Sequence, residues 1–469
     1  MEDSKKRRLE EETDAILTKR PKADAGVHCE ADVRMLDTRS HLTMLFMGPS
    51  GSGKSTIVGQ ILLLLGLVSI EELQENEALA IADDRQGRQL AYIIDNKEDD
   101  HRLNDEMQLG NASFEIKSRT FTVLDAPGQS RLVPKMIKGA YEADLGILVI
   151  SASDGEFEQC FSSLTQEHLQ LTSAFGVEKL IVLINKMDTV LWSTARFEEI
   201  EEKLSSFLFL KNYFHSENVT FLPVSGLHGD NIEMCRSGTV RSLFDVLEAM
   251  DLVPRGDASA PFRMPIIQVY TNEDGNHVIY GRVCSGTIKK HDYKHDNLVI
   301  MPYQERPKVV ALYCIKGKIE VDQAGPGDYV SIHIVPPHND IHPGAVLSSG
   351  GALSRTKSFT AELRFLKTPA RMYNGFNAML HIHSLEVHNC EIVEMKKFTN
   401  GSWSGRRRFV KEGEFALCRI EVPENYISIE EIANFPQLGE LVLRTEGYTV
   451  AVGNVISWDQ DEDVVMAGF

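Results

Sequence analysis

The sequence is poor in cysteine and has no long apolar run. Seven cysteines are scattered over 469 residues and none belongs to a C-x-x-C pair, which argues against a disulfide framework and a structural zinc site. The longest apolar run, residues 61–68, is far shorter than the roughly 20 residues that span a bilayer. The N-terminus lacks the apolar stretch of a signal peptide. We therefore expect a soluble cytoplasmic protein without a membrane partner.

An excess of positive charge is also missing. The formal net charge is −19 at pH 7, whereas proteins that wrap nucleic acid usually carry a basic balance, because phosphate contacts supply most of their affinity. The charge therefore disfavours direct binding of tRNA, although a local basic patch could still contact RNA. The length predicts two to four domains, at roughly 100–200 residues per domain.

Residues 1–38 are charged and show no apolar periodicity, which predicts a mostly disordered tail. Two basic clusters, KKRR (5–8) and KRPK (19–22), have the spacing of a two-part nuclear import signal. A solvated tail of mixed charge explains the same residues. Both interpretations stay open.

The next part of the chain alternates apolar, β-rich runs with amphipathic helical stretches. The runs FTVLD (121–125), LGILVIS (145–151) and KLIVLIN (179–185) are apolar almost throughout, as is typical of parallel strands buried on both faces. This alternation predicts a doubly wound α/β domain that binds its ligand at the carboxyl ends of the strands.

The pattern changes beyond a linker of proline, glycine and alanine at residues 252–262. Short strands separated by turns follow, and a second block of them starts near Lys357. Even spacing of short strands predicts β-barrels. The predicted domains are a charged tail (1–38), an α/β domain (39–258), two β-barrels (259–353 and 354–460) and an acidic tail (461–469).

The segment GPSGSGKST (48–56) fits the phosphate-loop pattern between a predicted strand and a predicted helix. Glycines let backbone N–H groups approach phosphates, and a helix N-terminus favours negative charge. Lys54 is expected to bridge the β- and γ-phosphates, and the Ser55 hydroxyl to bind Mg²⁺. The predicted phosphate-binding residues are Gly48, Ser50, Gly51, Ser52, Gly53, Lys54, Ser55 and Thr56.

Three later segments complete a predicted site for GTP or GDP. In DAPGQ (125–129), Asp125 is a second Mg²⁺ ligand and Gly128 approaches the γ-phosphate. In NKMD (185–188), the Asp188 carboxylate can accept two hydrogen bonds that only guanine offers. In SGL (225–227), a backbone donor can bind the guanine O6. The remaining residues predicted to bind the base are Asn185, Lys186, Ser225, Gly226 and Leu227. The fold class is therefore an α/β phosphate-loop G domain with a mostly parallel sheet, followed by two β-barrels.

The chain resembles the translational GTPases, and in detail the GTP-binding subunits of eukaryotic peptide-chain release factors, which are related to elongation factor 1 alpha and to the ribosome-rescue GTPase that partners pelota. The strings that carry the resemblance lie at 142–158, 221–232, 376–383, 408–415 and 435–455. The resemblance implies that the barrels bind a stop-codon-recognising class I release factor, a tRNA-shaped protein, and that the G domain meets the ribosome.

The sequence departs from this family around the γ-phosphate. No threonine occurs between Thr56 and Thr120, where the family has a Mg²⁺-binding switch threonine. Ungapped counting places Glu106 at that position, which makes its carboxylate a third candidate Mg²⁺ ligand. Gln129 replaces the family's histidine, and Gly51 replaces an aspartate. Since glutamine can orient an attacking water, Gln129 and Lys54 are the candidate catalytic residues.

Three functions remain as alternatives. The first is a termination GTPase that delivers the release factor to the ribosome. The second is a GTP-binding adaptor with weak or no hydrolysis in ribosome rescue or mRNA surveillance, which the threonine-free segment favours. The third is an elongation factor that carries aminoacyl-tRNA, which the negative net charge disfavours.

Overall fold

The computed structural model describes residues 41–82, 87–99, 110–117, 119–126, 133–160, 163–210, 213–236, 241–251, 256–272, 277–289, 298–314, 319–335, 340–349, 353–366, 372–399, 402–406, 409–423, 425–445 and 447–459. The predicted tails, with the basic clusters at 5–8 and 19–22, lie outside these ranges. In the described part no helix is long and apolar enough to cross a membrane.

A six-stranded sheet forms the centre of the first domain. Its strands lie in the order β2-β3-β1-β4-β5-β6, and all neighbours are parallel except β2 and β3. The strands are β1 (His41–Met47), β2 (Gly110–Ile116), β3 (Arg119–Asp125), β4 (Leu145–Ser151), β5 (Lys179–Asn185) and β6 (Val219–Pro223).

Helices connect these strands and cover both faces of the sheet. They are α1 (Lys54–Leu64), α2 (Ile70–Ala82), α3 (Gln89–Asp99), α4 (Val133–Glu142), α5 (Glu156–Cys160), α6 (Ser163–Ala174), α7 (Thr194–Leu210) and α8 (Leu243–Ala249). Because side chains alternate along a strand, Met44 and Phe46 of β1 join the apolar cluster on one face, while Leu45 and Met47 join the cluster on the other.

Two β domains follow. In the first, one sheet has the order β10-β15-β7-β8-β14-β11-β12 and β9 pairs with β13. Its strands are β7 (Arg263–Thr271), β8 (His277–Arg282), β9 (Ile288–Lys289), β10 (Leu298–Met301), β11 (Val309–Cys314), β12 (Ile319–Glu320), β13 (Gln323–Ala324), β14 (Tyr329–Ile334) and β15 (Val346–Ser349).

The second β domain is a closed barrel. Its sheet runs β18-β23-β24-β16-β22-β19-β20, and a further pairing of β18 with β19 closes it. The elements are β16 (Ser358–Phe365), β17 (Met372–Tyr373), β18 (Phe376–Ile382), β19 (Leu385–Thr399), β20 (Ser402–Arg406), β21 (Phe409–Val410), β22 (Phe415–Glu421), α9 (Pro436–Gly439), β23 (Glu440–Thr445) and β24 (Tyr448–Trp458). The predicted fold class is confirmed, whereas the domain boundaries stay predictions.

Buried polar contacts join the first domain to both β domains. Arg282 Nη2 donates to both carboxylate oxygens of Asp144, at 2.8 and 2.6 Å, and the Thr43 amide of β1 donates to the same carboxylate at 2.9 Å. On the other side, Arg444 Nη1 donates to Glu167 Oε1 at 2.9 Å and Thr449 Oγ1 donates to it at 2.5 Å. Charge pairs therefore connect the α/β domain to both β domains.

The Asp144–Arg282 pair predicts a large loss of stability on Asp144→Ala. The two side chains are 1% and 3% exposed, so removal of the carboxylate leaves a buried, unpaired guanidinium. We expect the free energy of unfolding to fall by about 3–5 kcal/mol, measured by urea denaturation. The control is Asp459→Ala, which breaks an exposed pair with Arg419 and should cost less than about 1 kcal/mol. Equal losses in the two variants would contradict the prediction.

Candidate nucleotide-binding site

The phosphate loop, residues 48–56, connects β1 to α1, and its shape requires glycine at two positions. Gly48 has φ 141°, and a Cβ there would lie 2.3 Å from the Val149 carbonyl oxygen. Gly53, the N-cap of α1, has φ 97°. A Cβ on Gly53 would lie 2.3 Å from Asn185 Nδ2. The backbone therefore passes against β4 and β5 at the carboxyl edge of the sheet.

Lys54 lies against this loop. Its Nζ donates to the carbonyl oxygens of Gly48 and Pro49, at 3.0 and 3.1 Å, and the side chain is buried. Ser50 and Gly51 are exposed at the tip of the loop, whereas Ser52 is buried. Thr56 follows in the first turn of α1. The Lys54 ammonium is thus buried beside the loop, while the backbone at Ser50 and Gly51 lies at the surface.

Ser55 and Asp125 meet at the ends of α1 and β3. Ser55 Oγ donates to Asp125 Oδ2 at 2.6 Å. The other carboxylate oxygen, Oδ1, is buried and accepts no hydrogen bond from a described residue. Burial raises the pKa of Asp125 above its usual value, while the charge of Lys54 and the Ser55 hydrogen bond oppose that shift. A hydroxyl and a carboxylate oxygen without a partner are suitable ligands for a hard cation such as Mg²⁺.

Asn185, the last residue of β5, joins two loops. Its Nδ2 donates to the Ser52 carbonyl at 2.8 Å, and its Oδ1 accepts from the Gly226 amide at 2.8 Å. The amide of Ser225 donates to the Asp230 carbonyl. Two of the three backbone amides in the 225–227 segment therefore donate within the protein. Leu227, the third residue, is half exposed.

Asp188 lies beside this segment. Ser225 Oγ donates to Asp188 Oδ1 at 2.6 Å and also contacts His228 Nδ1 at 2.9 Å. Lys186 adopts a left-handed backbone with φ 62°, and its Nζ donates to Glu156 Oε2 at 2.7 Å. Hydrogen bonds from Lys186 and then from Ser151 lower the pKa of Glu156. The structure therefore places the NKMD segment next to the 225–227 segment.

Several residues at the site were not identified from the sequence. Glu156 belongs to the string at 142–158, but nothing in its spacing indicated Lys186 as its partner. His228 directly follows the 225–227 segment and belongs to none of the four sequence motifs. Outside the four motifs, His168 of α6 is fully buried, and neither of its ring nitrogens has a hydrogen-bond partner among the described residues. Burial, followed by the charges of Lys54 and Arg444, lowers its pKa to about 4.

Part of the predicted γ-phosphate side lies outside the described residues. Glu106, Gly128 and Gln129 all fall in gaps of the described ranges. Their assignments therefore stay predictions, as does the assignment of the metal ligands Ser55 and Asp125.

Two family models match the chain. The model of the elongation factor Tu GTP-binding domain matches residues 39–255. The model described as "GTP-eEF1A C-terminal domain-like" matches residues 358–456. Together they cover the α/β domain and the closed barrel.

Curated relatives and a solved structure extend this similarity. The eukaryotic peptide chain release factor GTP-binding subunit of Candida maltosa is 34% identical over 438 residues, which are 90% of this chain and 60% of that protein. The Schizosaccharomyces pombe subunit is 32% identical over 432 residues, 89% of this chain and 64% of that protein. The chain thus spans about three fifths of these relatives. In fold it is similar to the Saccharomyces cerevisiae Ski7 GTPase-like domain, solved with GDP and inorganic phosphate (TM-score 0.73, 18% identity, 89% of this chain and 98% of that one).

The two hydrogen bonds of Asn185 predict that Asn185→Ala loosens both attached loops. The variant leaves the buried Ser52 carbonyl and Gly226 amide unpaired, so the free energy of unfolding should fall by about 2–4 kcal/mol. Amide hydrogen exchange should also accelerate in peptides that contain residues 50–56 and 224–228. Asn434→Ala, at an exposed turn, is the control and should change stability by less than about 0.5 kcal/mol. Unchanged exchange in both peptides would show that Asn185 does not join the loops.

Proposed function

Because this chain belongs to the translational GTPase family, we propose that it binds GTP and GDP with Mg²⁺ at the carboxyl edge of the six-stranded sheet. One observation carries the proposal. The Asn185 side chain bonds to both the phosphate loop and the segment beside Asp188, so the predicted phosphate-binding and base-binding parts form a single site.

The described residues fit a magnesium nucleotide. Ser55 Oγ and the Oδ1 of Asp125, which accepts no hydrogen bond within the described ranges, supply oxygen ligands of the kind that Mg²⁺ prefers. When bound, the ion neutralises charge on the β- and γ-phosphate oxygens. Lys54 already directs its ammonium at the loop carbonyls, and it would exchange those contacts for phosphate oxygens. The amides at the start of α1 add donors for the same phosphates.

Guanine specificity is assigned to Asp188. Its carboxylate is bound on one oxygen by Ser225 Oγ and can accept the N1–H and exocyclic amine hydrogens of guanine with its remaining lone pairs. The Lys186 stem lies over the base in this proposal, and Leu227 supplies a backbone donor to the guanine O6.

The proposed cellular role is translation termination in the cytoplasm, in which GTP binding and hydrolysis are coupled to delivery of a class I release factor to the ribosome. The names of the curated relatives support this role. Gln129 is proposed to orient the attacking water, and Lys54 to stabilise charge on the transferred phosphoryl group. A tRNA-shaped protein partner suits the net charge of −19 better than tRNA does.

A second candidate function is an adaptor that binds GTP without efficient hydrolysis, in ribosome rescue or mRNA surveillance. The absence of threonine from residues 57–119 favours it, because a switch segment without its Mg²⁺-binding hydroxyl loses one anchor of the closed state.

The guanine assignment predicts a change of base preference in Asp188→Asn. Asparagine cannot accept both guanine hydrogens, but its NH₂ can donate to the C2 carbonyl of xanthine. GDP affinity should therefore fall by about 100-fold or more, while xanthosine diphosphate affinity should rise. Isothermal titration with both nucleotides measures this. Asp230→Asn is the control from the adjacent loop and should keep the wild-type preference for GDP. An unaltered ratio of the two affinities in Asp188→Asn would refute the base assignment.

Single-turnover GTP hydrolysis distinguishes the enzyme from the adaptor. Purified ribosomes and the class I release factor are added to wild-type protein, and Lys54→Ala gives the background rate. Hydrolysis faster than this background supports the enzyme, whereas equal rates support the adaptor. If Glu106 is what limits the switch, Glu106→Thr should raise the rate by about tenfold or more. An unchanged hydrolysis rate in Glu106→Thr would show that Glu106 does not limit hydrolysis.

A further inference from the structure

The base-side lysine has a carboxylate partner on a neighbouring element. Lys186 Nζ donates to Glu156 Oε2 at 2.7 Å, and Ser151 Oγ donates to the same oxygen at 2.6 Å. Lys186 and Glu156 are 30% and 47% exposed, whereas Ser151 is fully buried at the end of β4. The Glu156 carboxylate is thus attached to the rigid sheet on one side and to Lys186 on the other.

The turn between β4 and α5 fixes where Glu156 lies. The Ser153 amide donates to Ser151 Oγ at 3.2 Å, and the Glu156 amide donates to the Ser153 carbonyl at 3.1 Å. Gly155 completes the turn with φ 78°, a conformation that glycine adopts without strain. Glu156 therefore enters α5 as its first residue with little freedom to move away from Lys186.

The same turn also binds the backbone of the NKMD segment. The Ala152 amide donates to the Asn185 carbonyl at 2.8 Å. Thr189 Oγ1 donates to the Lys186 carbonyl at 2.7 Å and contacts Ser153 Oγ at 2.9 Å. The left-handed backbone of Lys186 is uncommon for a residue with a side chain, so its conformation depends on such support.

Contacts of Asp188 come from a different part of the chain. Asp188 is bound by Ser225, which follows β6, whereas Lys186 is bound from the 151–156 turn. Arg196 of α7 supports that turn, because its Nε donates to the Ala152 carbonyl at 3.1 Å. Asp188 and Lys186 are therefore held by different parts of the chain: Ser225 binds Asp188, and the 151–156 turn binds Lys186.

We propose that Glu156 is a positioning residue for guanine nucleotides: it directs the Lys186 side chain so that its stem lies over the base. This inference rests on the proposed guanine site. A lysine without a partner samples many rotamers, and fixing them on binding costs free energy. Because GTP and GDP share the base, Glu156 should affect both to the same degree.

The test is Glu156→Gln, with dissociation of ribose-labelled fluorescent GDP and GTP followed by stopped flow. Both nucleotides should dissociate roughly three- to tenfold faster, in line with a partly exposed charge-assisted hydrogen bond, and the GTP-to-GDP ratio of rates should not change. Glu248→Gln is the matched control. Glu248 forms an exposed pair with Lys117 in the same domain and contacts neither Lys186 nor the 151–156 turn in the described part of the chain, so this variant should keep wild-type rates.

A double-mutant cycle separates positioning from general stability. If Glu156 acts through Lys186, then Glu156→Gln should have no further effect on dissociation in a Lys186→Ala background. An equal acceleration in both backgrounds would overturn the proposal, and so would wild-type rates in Glu156→Gln. A wild-type protein that binds neither labelled nucleotide would overturn the proposed function as well, which distinguishes the two failures.

Discussion

The buried side chain of Asn185 is the constraint on which the rest of the site depends. One amide group satisfies the Ser52 carbonyl and the Gly226 amide, so two loops that are far apart in sequence share one anchor. The geometry leaves no room for a side chain at Gly53, where a Cβ would lie 2.3 Å from the Asn185 amide nitrogen. Glycine at the start of α1 and asparagine at the end of β5 therefore fit together, because the close approach of the two excludes a Cβ at position 53.

A second constraint connects this site to the β domains through β1. The strand leads directly into the phosphate loop, and its Thr43 amide shares the Asp144 carboxylate with Arg282. On the opposite side Glu167 binds the closed barrel, and it precedes His168, a buried residue whose pKa is lowered to about 4 by burial and then by the charge of Lys54. The strand that leads into the phosphate loop is thus bonded to the first β domain, and α6 of the α/β domain is bonded to the barrel.

The α/β sheet could be predicted from the sequence because it depends on local patterns, whereas the assignment of the four motifs to a bound nucleotide stays a prediction. Buried parallel strands are apolar almost throughout, and the motif residues follow the strands directly, so strand order alone brings Asp125, Asn185 and the phosphate loop to one edge. The Asp144–Arg282 pair could not be predicted, since its members are 138 residues apart and each is an ordinary charged residue in sequence. The Lys186–Glu156 pair could not be predicted for a related reason. It depends on a turn geometry that brings α5 against the NKMD segment, and no periodicity encodes that approach.

One apolar cluster crosses all three domains. Cys284 of the first β domain and Val442 of the barrel pack with the residues under the α/β sheet, and Val452 of β24 lies against the same group. A core that is shared between domains affects thermal unfolding as well as architecture. A calorimetric scan of the chain should show the domains melting together in one peak, and a barrel taken from a distant relative would not dock unless its contact residues were exchanged too.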